Sequence, residues 1–570
     1  MRFSVPIAAI LFIVMGCVAF AQSFPTAPIS GGSRYLITGC KGDGVTDDTN
    51  CVQAGIEAAC AGGYTLNFDS NYLYNVPGGL TVDCPILMQG PFRYGIWTTT
   101  PNNTGRSCPW GLTNKSFGTK TMLNVTAITA TIRGLCIDMT AGNVTTNPTA
   151  GAAIALGPPT TSTYQSGVHI EQNTILQPFD GITIDGVGYA SGCCGQGTSA
   201  DPIVIAHNTI VSPANVGIEV GFRTANAATV GITVTDNAIV CNSADSTSVT
   251  NGVGIALFDG AVYYDGTQNG PEGCNIGTRI APGTLSGHSQ NAEFNGDGVF
   301  GDQSGTHDLL IQPGAGGVID FLTIGGKGPW ASATGNVNSV LIDCSASGAS
   351  CQEFTFSGLQ AHGGNGLTQP IVDIEGAAGG PYDLTIVGSN FCEFGTPGSG
   401  ASALKLNIPA GATGSGRWNI VGNRMGTGCP GSALPIGILL QIATPQIGIV
   451  TIEGNDISLA ATPISYTPNP TDVVVIENNM GVSNVCISDA AASTLNLDGA
   501  VPCYLITGSG TISSIVGPWQ NRQIKLLAMA GFSLATGGGS DAICTAASVA
   551  NGKFETLIWQ QSAACWSISP

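Results

Sequence analysis

KGDGVTDDTNCVQAGIEAA, residues 41–59, governs how the rest of the chain is read. Gly42 and Gly44 supply a turn that tolerates positive φ. Thr46, Asp47 and Asp48 then place side-chain oxygens and negative charge at a helix N-terminus. Cys51, Val52, Ala54, Gly55, Ile56, Ala58 and Ala59 continue as a short helix with one apolar face. After Gly62 and Gly63, TLNF (65–68) alternates as a strand. Asp43, Asp47 and Asp48 look like a catalytic or metal cluster, but in this setting turn and cap roles account for them.

Composition narrows the class. The 570 residues include 82 glycines, 43% are apolar and only 9% are charged. That texture suits short stacked strands joined by glycine and asparagine turns better than a helical enzyme. The net charge of −19, from 17 basic and 36 acidic residues, argues against a nucleic-acid partner. It also disfavours polyanionic glycans unless Ca²⁺ bridges the two, and leaves neutral or weakly charged glycans as the better match. Residues 1–21 read as a secretory signal, with Arg2, an apolar Pro6–Val18 and Ala19-Phe20-Ala21 before cleavage at Gln22. A lipoprotein signal ending at Cys17 is the competing reading. No later stretch reads as a membrane helix. The expected location is therefore secreted, periplasmic or cell-surface. Without Cys17, 18 cysteines remain, an even number that implies disulfides in an exported chain. Cys344 and Cys351 bracket a short loop and suit each other. Cys51 and Cys60 lie on opposite faces of one helix and do not. No cysteine or histidine spacing suits a structural zinc, and no metal is expected.

A repeat emerges further on. IEQNTI (170–175), IAHNTI (205–210) and VTDNAI (234–239) share an asparagine between apolar alternations. IVGNRM (420–425), IEGNDI (452–457), IENNM (476–480) and the looser VGSNF (387–391) follow. The first three asparagines are 35 and 29 apart, and the series 390, 423, 455, 478 is separated by 33, 32 and 23. Such coils fit a β-solenoid in which the asparagines stack as a ladder at one turn. A second strand type, GITID (181–185), GIEVG (217–221) and GIALF (254–258), points Ile182, Ile184, Ile218 and Val220 inward. Thr183, Asp185 and Glu219 then face out.

The segment from Gly42 to Phe68, with the coils behind it, resembles the opening cap of the pectate-lyase-like family. That family of right-handed parallel β-helices takes in rhamnogalacturonase-like, epimerase-like and tailspike proteins. The resemblance implies an all-β, single-stranded parallel β-helix with an N-terminal helix cap. The expected organisation is a cap and first coils at 35–90, coils over 91–485, an interruption by inserted loops at 259–335, and a C-terminal β module at 486–570. That module, with Gly517, Trp519, Arg522 and Trp566, resembles the modules that end phage-tail-type proteins, which implies capping or a homotrimer.

The polygalacturonase pattern of this fold is only echoed. PFDGITI (178–184) supplies Asp180, but Asn215-Val216 stands where a paired aspartate is needed, and no Gly-His-Gly occurs. Arg522-Gln523-Ile524-Lys525 lies in the terminal module. Aligning GITID on GIEVG instead places Asp185 and Glu219 on adjacent coils, their Cα atoms roughly 8 Å apart, as a carboxylate pair suited to glycoside cleavage. Aligning on the asparagines stacks Gln172, His207 and Asp236, making His207–Asp236 an acid/base candidate. Arg223, Tyr189, Tyr263 and Tyr264 are the expected substrate contacts, with Trp97 and Trp110 in a loop-rich stretch. No cofactor is expected, apart from Ca²⁺ if the chemistry is lyase-like. The sequence thus points to a secreted protein that binds and cleaves an extracellular polysaccharide. The alternative is a non-catalytic adhesin or tail-fibre-like solenoid.

Overall fold

In the coils between residues 130 and 240 a strand of one sheet leads through a two-residue turn to a second sheet and on to a third. Val168–Glu171 lies in sheet A, Thr174–Leu176 in sheet B and Asp180–Ile184 in sheet C. Each strand pairs in parallel with its counterpart one coil later: His169 with Val204, Thr174 with Thr209, Ile182 with Ile218. Among the described residues, sheet C has 13 strands, from Leu80–Val82 to Thr462–Tyr466. Sheets A and B are joined where Ala261–Glu272 runs through both. The computed structural model describes residues 34–569 except 92–107, 115–119, 128, 140–149, 158–164, 166, 185–202, 222–228, 242–251, 260, 284–290, 299–300, 326–329, 334–337, 364–366, 377–379, 394–399, 409–415, 427–433, 443–447, 467–473, 482–486, 498–502, 518–521, 538–540 and 561. The fold is a right-handed parallel β-helix, as expected for a strand–crossover–strand path of this kind.

Period-2 alternation builds the core. Leu123, Ile154, Ile182, Ile218 and Ile255 stack in register and are no more than 2% exposed. Each such side chain contributes roughly 1.5–3 kcal/mol by leaving water. Within residues 259–335, where inserted loops were expected, the described strands belong to the coils. Ile276–Ile280 and His307–Ile311 continue sheet C, with Ile255, Thr278 and Leu309 in one column. The repeat is hard to see there because its asparagine, Asn269, sits in a glycine-rich Gln-Asn-Gly-Pro context.

The turn between sheets A and B carries two ladders. Asn208 Oδ1 accepts from both the backbone N–H and Nδ2 of Asn173, and Asn208 Nδ2 donates to Ile170 O. The pattern repeats through Asn237 and Asn269. A second ladder runs from Ser389 through Asn423 and Asn455 to Asn479. The ladder members are therefore Ser389 and Asn479, where spacing suggested 390 and 478. Ser389 Oγ accepts from the Leu359 N–H and donates to Val387 O. Asn478 is the left-handed residue before the rung, at φ 57°.

At the N-terminal end, the helix Thr49–Gly62 buries Val52, Gly55, Ile56 and Ala59 against Ile37, Leu66 and Phe68. The acids beside it are turn groups, and Asp48, at the N-cap position, makes no side-chain capping bond to the helix. Asp48 is 3% exposed and accepts from the Lys41 and Gly42 N–H groups. Asp47 accepts from the Thr49 N–H. The Thr46 and Val45 amides hold the Asp43 pKa down at about 2. Cys40–Cys51 and Cys60–Cys84 tie the helix to the loops on either side. Cys108–Cys136, Cys241–Cys274, Cys344–Cys351 and Cys544–Cys565 are also bonded. Thus Cys344 pairs with Cys351, and Cys51 and Cys60 have separate partners.

The strands from Ile487 onward form their own sheets, partly antiparallel, around a separate core. Trp559 and Trp566 meet edge to face at 5.7 Å, and Trp566 Nε1 donates to Ile515 O. Arg522, 4% exposed, donates to Gly517 O. Among the described residues, no helix is long and apolar enough to cross a membrane. The proposed signal at 1–21 and Trp519 lie outside the described residues.

Candidate functional site

Of the carboxylate pair suggested by sequence, the structure describes one member. Asp185 lies outside the described residues. The register is as aligned, with Thr183 beside Glu219, but Glu219 is only 3% exposed and does not present its carboxylate to solvent. Asp180 is buried too, and accepts from Asn215 Nδ2 at 2.8 Å, which ties two coils together. Tyr264 is 7% exposed within the core, so it is not available to stack on a sugar; burial raises its pKa. Trp110 fills a small cluster with Cys108, Cys136, Leu176 and Val211. Tyr189, Arg223, Trp97 and the Tyr263 side chain lie outside what the structure describes.

His207 and Asp236 do lie on neighbouring coils, with Nδ1 and Oδ2 3.8 Å apart, beyond hydrogen-bond range. Both are left-handed, at φ 56° and 53°, as is Gln172 at 57°. Gly134, Gly422 and Gly454 hold the equivalent turn position in other coils, also at positive φ. The column is the corner that sets up each ladder rung, and its residue types are those that tolerate αL. Beside it, His169 Nδ1 contacts Glu171 Oε1 at 3.0 Å, and this hydrogen bond lowers the Glu171 pKa against the opposing effect of burial.

The strongest polar constellation lies elsewhere, on the outer face of sheet C. Pro370–Glu375 and Ser402–Ile408 are adjacent strands. Val372, Ile374, Leu404 and Leu406 point into the core, so alternation turns Asp373, Glu375, Lys405 and Asn407 outward. Lys405 Nζ lies 3.2 Å from Asp373 Oδ1 and contacts Glu375 Oε1 directly. Asn407 Nδ2 donates to Glu375 Oε2, and Asn338 Nδ2 donates to Pro370 O. Burial pushes the Asp373 pKa up to about 6 despite Lys405, and the neighbouring Glu375 adds to the rise. Burial acts on Glu375 in the same sense, but the Lys405 ammonium and Asn407 amide outweigh it and lower its pKa. Two carboxyls on one strand, two residues apart, therefore have their pKa values shifted in opposite directions.

Glu375 also belongs to a column. Asp343, Glu375, Asn407 and Gln441 are register partners on four successive coils. Gln312, one coil earlier, donates from Nε2 to Asp343 Oδ2 at 3.1 Å. All five are at least partly exposed. Sequence inspection followed the asparagine turn and missed this column. Setting VDIE (372–375) against LKLN (404–407) exposes it. Among the described residues, Cys60, Asp83 and Cys84 are the one grouping of metal-ligating type, and both cysteines are committed to a disulfide.

Stacked parallel sheets with an asparagine ladder place this chain in the class of right-handed parallel β-helix proteins. No protein-family model matches it, and no curated protein matches it. Among solved structures it is similar to the pre-mature gene product 12 of bacteriophage phi29, at 13% identity and TM-score 0.44, over 88% of this chain and 66% of that one. It is similar to the catalytic unit of a GH87 α-1,3-glucanase from Streptomyces thermodiastaticus, at 12% identity and TM-score 0.40, over 79% of this chain and 69% of that one. It is also similar to the A-module of the mannuronan C-5 epimerase AlgE4 from Azotobacter vinelandii, at 14% identity and TM-score 0.37, over 78% and 99%. These are likenesses of fold.

Proposed function

We propose that this protein is an extracellular solenoid that binds a neutral or weakly charged glycan along the outer face of sheet C. One observation carries this reading. Gln312, Asp343, Glu375, Asn407 and Gln441 form a row of planar carboxamide and carboxylate groups on five coils. Coils stack about 4.8 Å apart, so the row offers hydrogen-bonding groups at a regular interval to an extended chain of hydroxyls. A net charge of −19 works against a polyanionic ligand.

Cleavage is a second reading, favoured by the opposed pKa shifts of Asp373 and Glu375. In it Glu375, the more exposed of the two, takes the proton of a water that attacks the anomeric carbon, and Asp373 gives its proton to the departing glycosidic oxygen. Both readings are tested together. Affinity electrophoresis in gels containing dextran, xylan, alginate or polygalacturonate measures binding, and new reducing ends measure cleavage. Asn407→Ala and Gln441→Ala are expected to weaken binding about ten-fold each, from lost hydrogen bonds. Glu375→Gln keeps its shape and is expected to bind within a few-fold of wild type while forming no product. Unchanged binding in both ladder variants excludes the sheet C face. Product from Glu375→Gln at the wild-type rate excludes the dyad.

A further inference from the structure

Sheet A contains a β-bulge that places an aromatic ring in an unusual setting. Ala292 faces Ile319 and Phe294 faces Leu322, so a single residue stands opposite Asp320 and Phe321. Phe321 takes the left-handed conformation, at φ 56°. It is the sole phenylalanine, tyrosine or tryptophan at positive φ among the described residues. Asn, Asp and His are the non-glycine residues that tolerate αL best, for Asn and Asp because a short polar side chain can bond locally, whereas a phenyl group has no such compensation. Nor does burial repay the strain, because Phe321 is 51% exposed. Strain of this kind persists where the side chain must be aimed somewhere in particular, and bulges re-aim side chains.

The neighbouring group supplies a second, independent sign. Asp320 Oδ1 is buried and has no hydrogen-bond partner, and burial raises the pKa of this carboxyl. The next coil repeats the distortion: Gln352 faces Asp320, and Glu353 beyond it is also left-handed, at φ 55°. The patch lies on the coil that carries Gln312, just past the turn from sheet C. The corner of the following coil, between Asp343 and Gln352, is closed by Cys344–Cys351. The polar row and the bulge therefore share two adjacent coils, one of them pinned.

We propose that Phe321 and Asp320 form a sugar-binding platform, with the ring stacking on the C–H face of a pyranose and Asp320 accepting a hydroxyl of that residue on Oδ2, the oxygen that is not sealed in. The platform rests on the glycan reading and extends it around the corner from sheet C to sheet A. It is a contact for binding and takes no part in bond cleavage.

Substitution by glycine separates platform from packing, because glycine adopts φ 56° without strain. In the same affinity gels, Phe321→Gly is expected to bind at least about five-fold more weakly than wild type. Its Tm should be unchanged or higher. Phe321→Trp should restore binding, and Asp320→Ala should weaken it. A Tm several degrees below wild type in Phe321→Gly marks the ring as a packing element and overturns the platform. So does wild-type affinity in Phe321→Gly on a glycan that the wild type binds. A wild type that binds none of the four polysaccharides overturns the glycan reading itself, and the platform with it.

Discussion

Two carboxyls on one strand give the protein a pH dependence whose sign differs between them. The Asp373 pKa, raised from 3.8 to about 6, means that the folded state holds this proton more tightly than the unfolded chain. Its contribution to stability is present at low pH and is lost as pH rises from about 4 through about 6. Asp373→Asn removes that titration, so its Tm relative to wild type should rise between about pH 4 and pH 7. Glu375 has the opposite sign. Its lowered pKa adds stability above the ordinary carboxylate range, lost as pH falls through the folded value. Glu375→Gln should therefore lose ground to wild type as pH rises through that range. Melts across this span check both signs, and a flat difference for Asp373→Asn removes the argument for a perturbed acid. Neither shift was legible from sequence. Val-Asp-Ile-Glu reads as an ordinary half-exposed strand until Lys405, 30 residues on, is stacked against Glu375.

At the level of elements, the turn between sheets A and B holds the coils in register. Each asparagine satisfies buried amides on the preceding coil, and Asn173, Asn208 and Asn237 are 1% exposed. Asn208→Ala leaves the Asn173 N–H and Ile170 carbonyl without these partners and should destabilise the fold by about 2–4 kcal/mol. His207→Gly, one residue earlier, should be neutral or stabilising by up to about 1 kcal/mol, because it relieves αL strain. Denaturant unfolding of the two variants measures the contrast. A loss of stability in His207→Gly as large as in Asn208→Ala would show that His207 and Asp236 are coupled beyond their shared corner. The repeat itself was plain in IEQNTI, IAHNTI and VTDNAI. Which residue of IENNM or VGSNF forms the rung was not, because neighbouring residues differ only in φ and sequence does not record φ.

On the scale of the whole molecule, the solenoid and the strands after Ile487 bury separate cores and, among the described residues, share no strand pairing. Arg522 and Trp566 anchor the second unit through Gly517 O and Ile515 O. Calorimetry should resolve two transitions, since units with few shared contacts unfold independently. Arg522→Ala should lower only the one that belongs to the C-terminal unit. One transition that shifts as a whole would show that the two units fold as one.

The sequence by itself determined the architecture. Cap, asparagine repeat and alternating strands are local patterns, and a solenoid is built from contacts between one repeat and the next. The Cys344–Cys351 bridge was legible for the same reason. Tertiary structure decided which acids meet and which are exposed. Alternation sends Glu219 and Glu375 to the same side of sheet C, yet Glu219 is buried and Glu375 is half-exposed. Period 2 fixes the side of a sheet on which a residue lies. Coverage of that side depends on chain elsewhere, and the partner across the coil depends on a register that stacking alone sets.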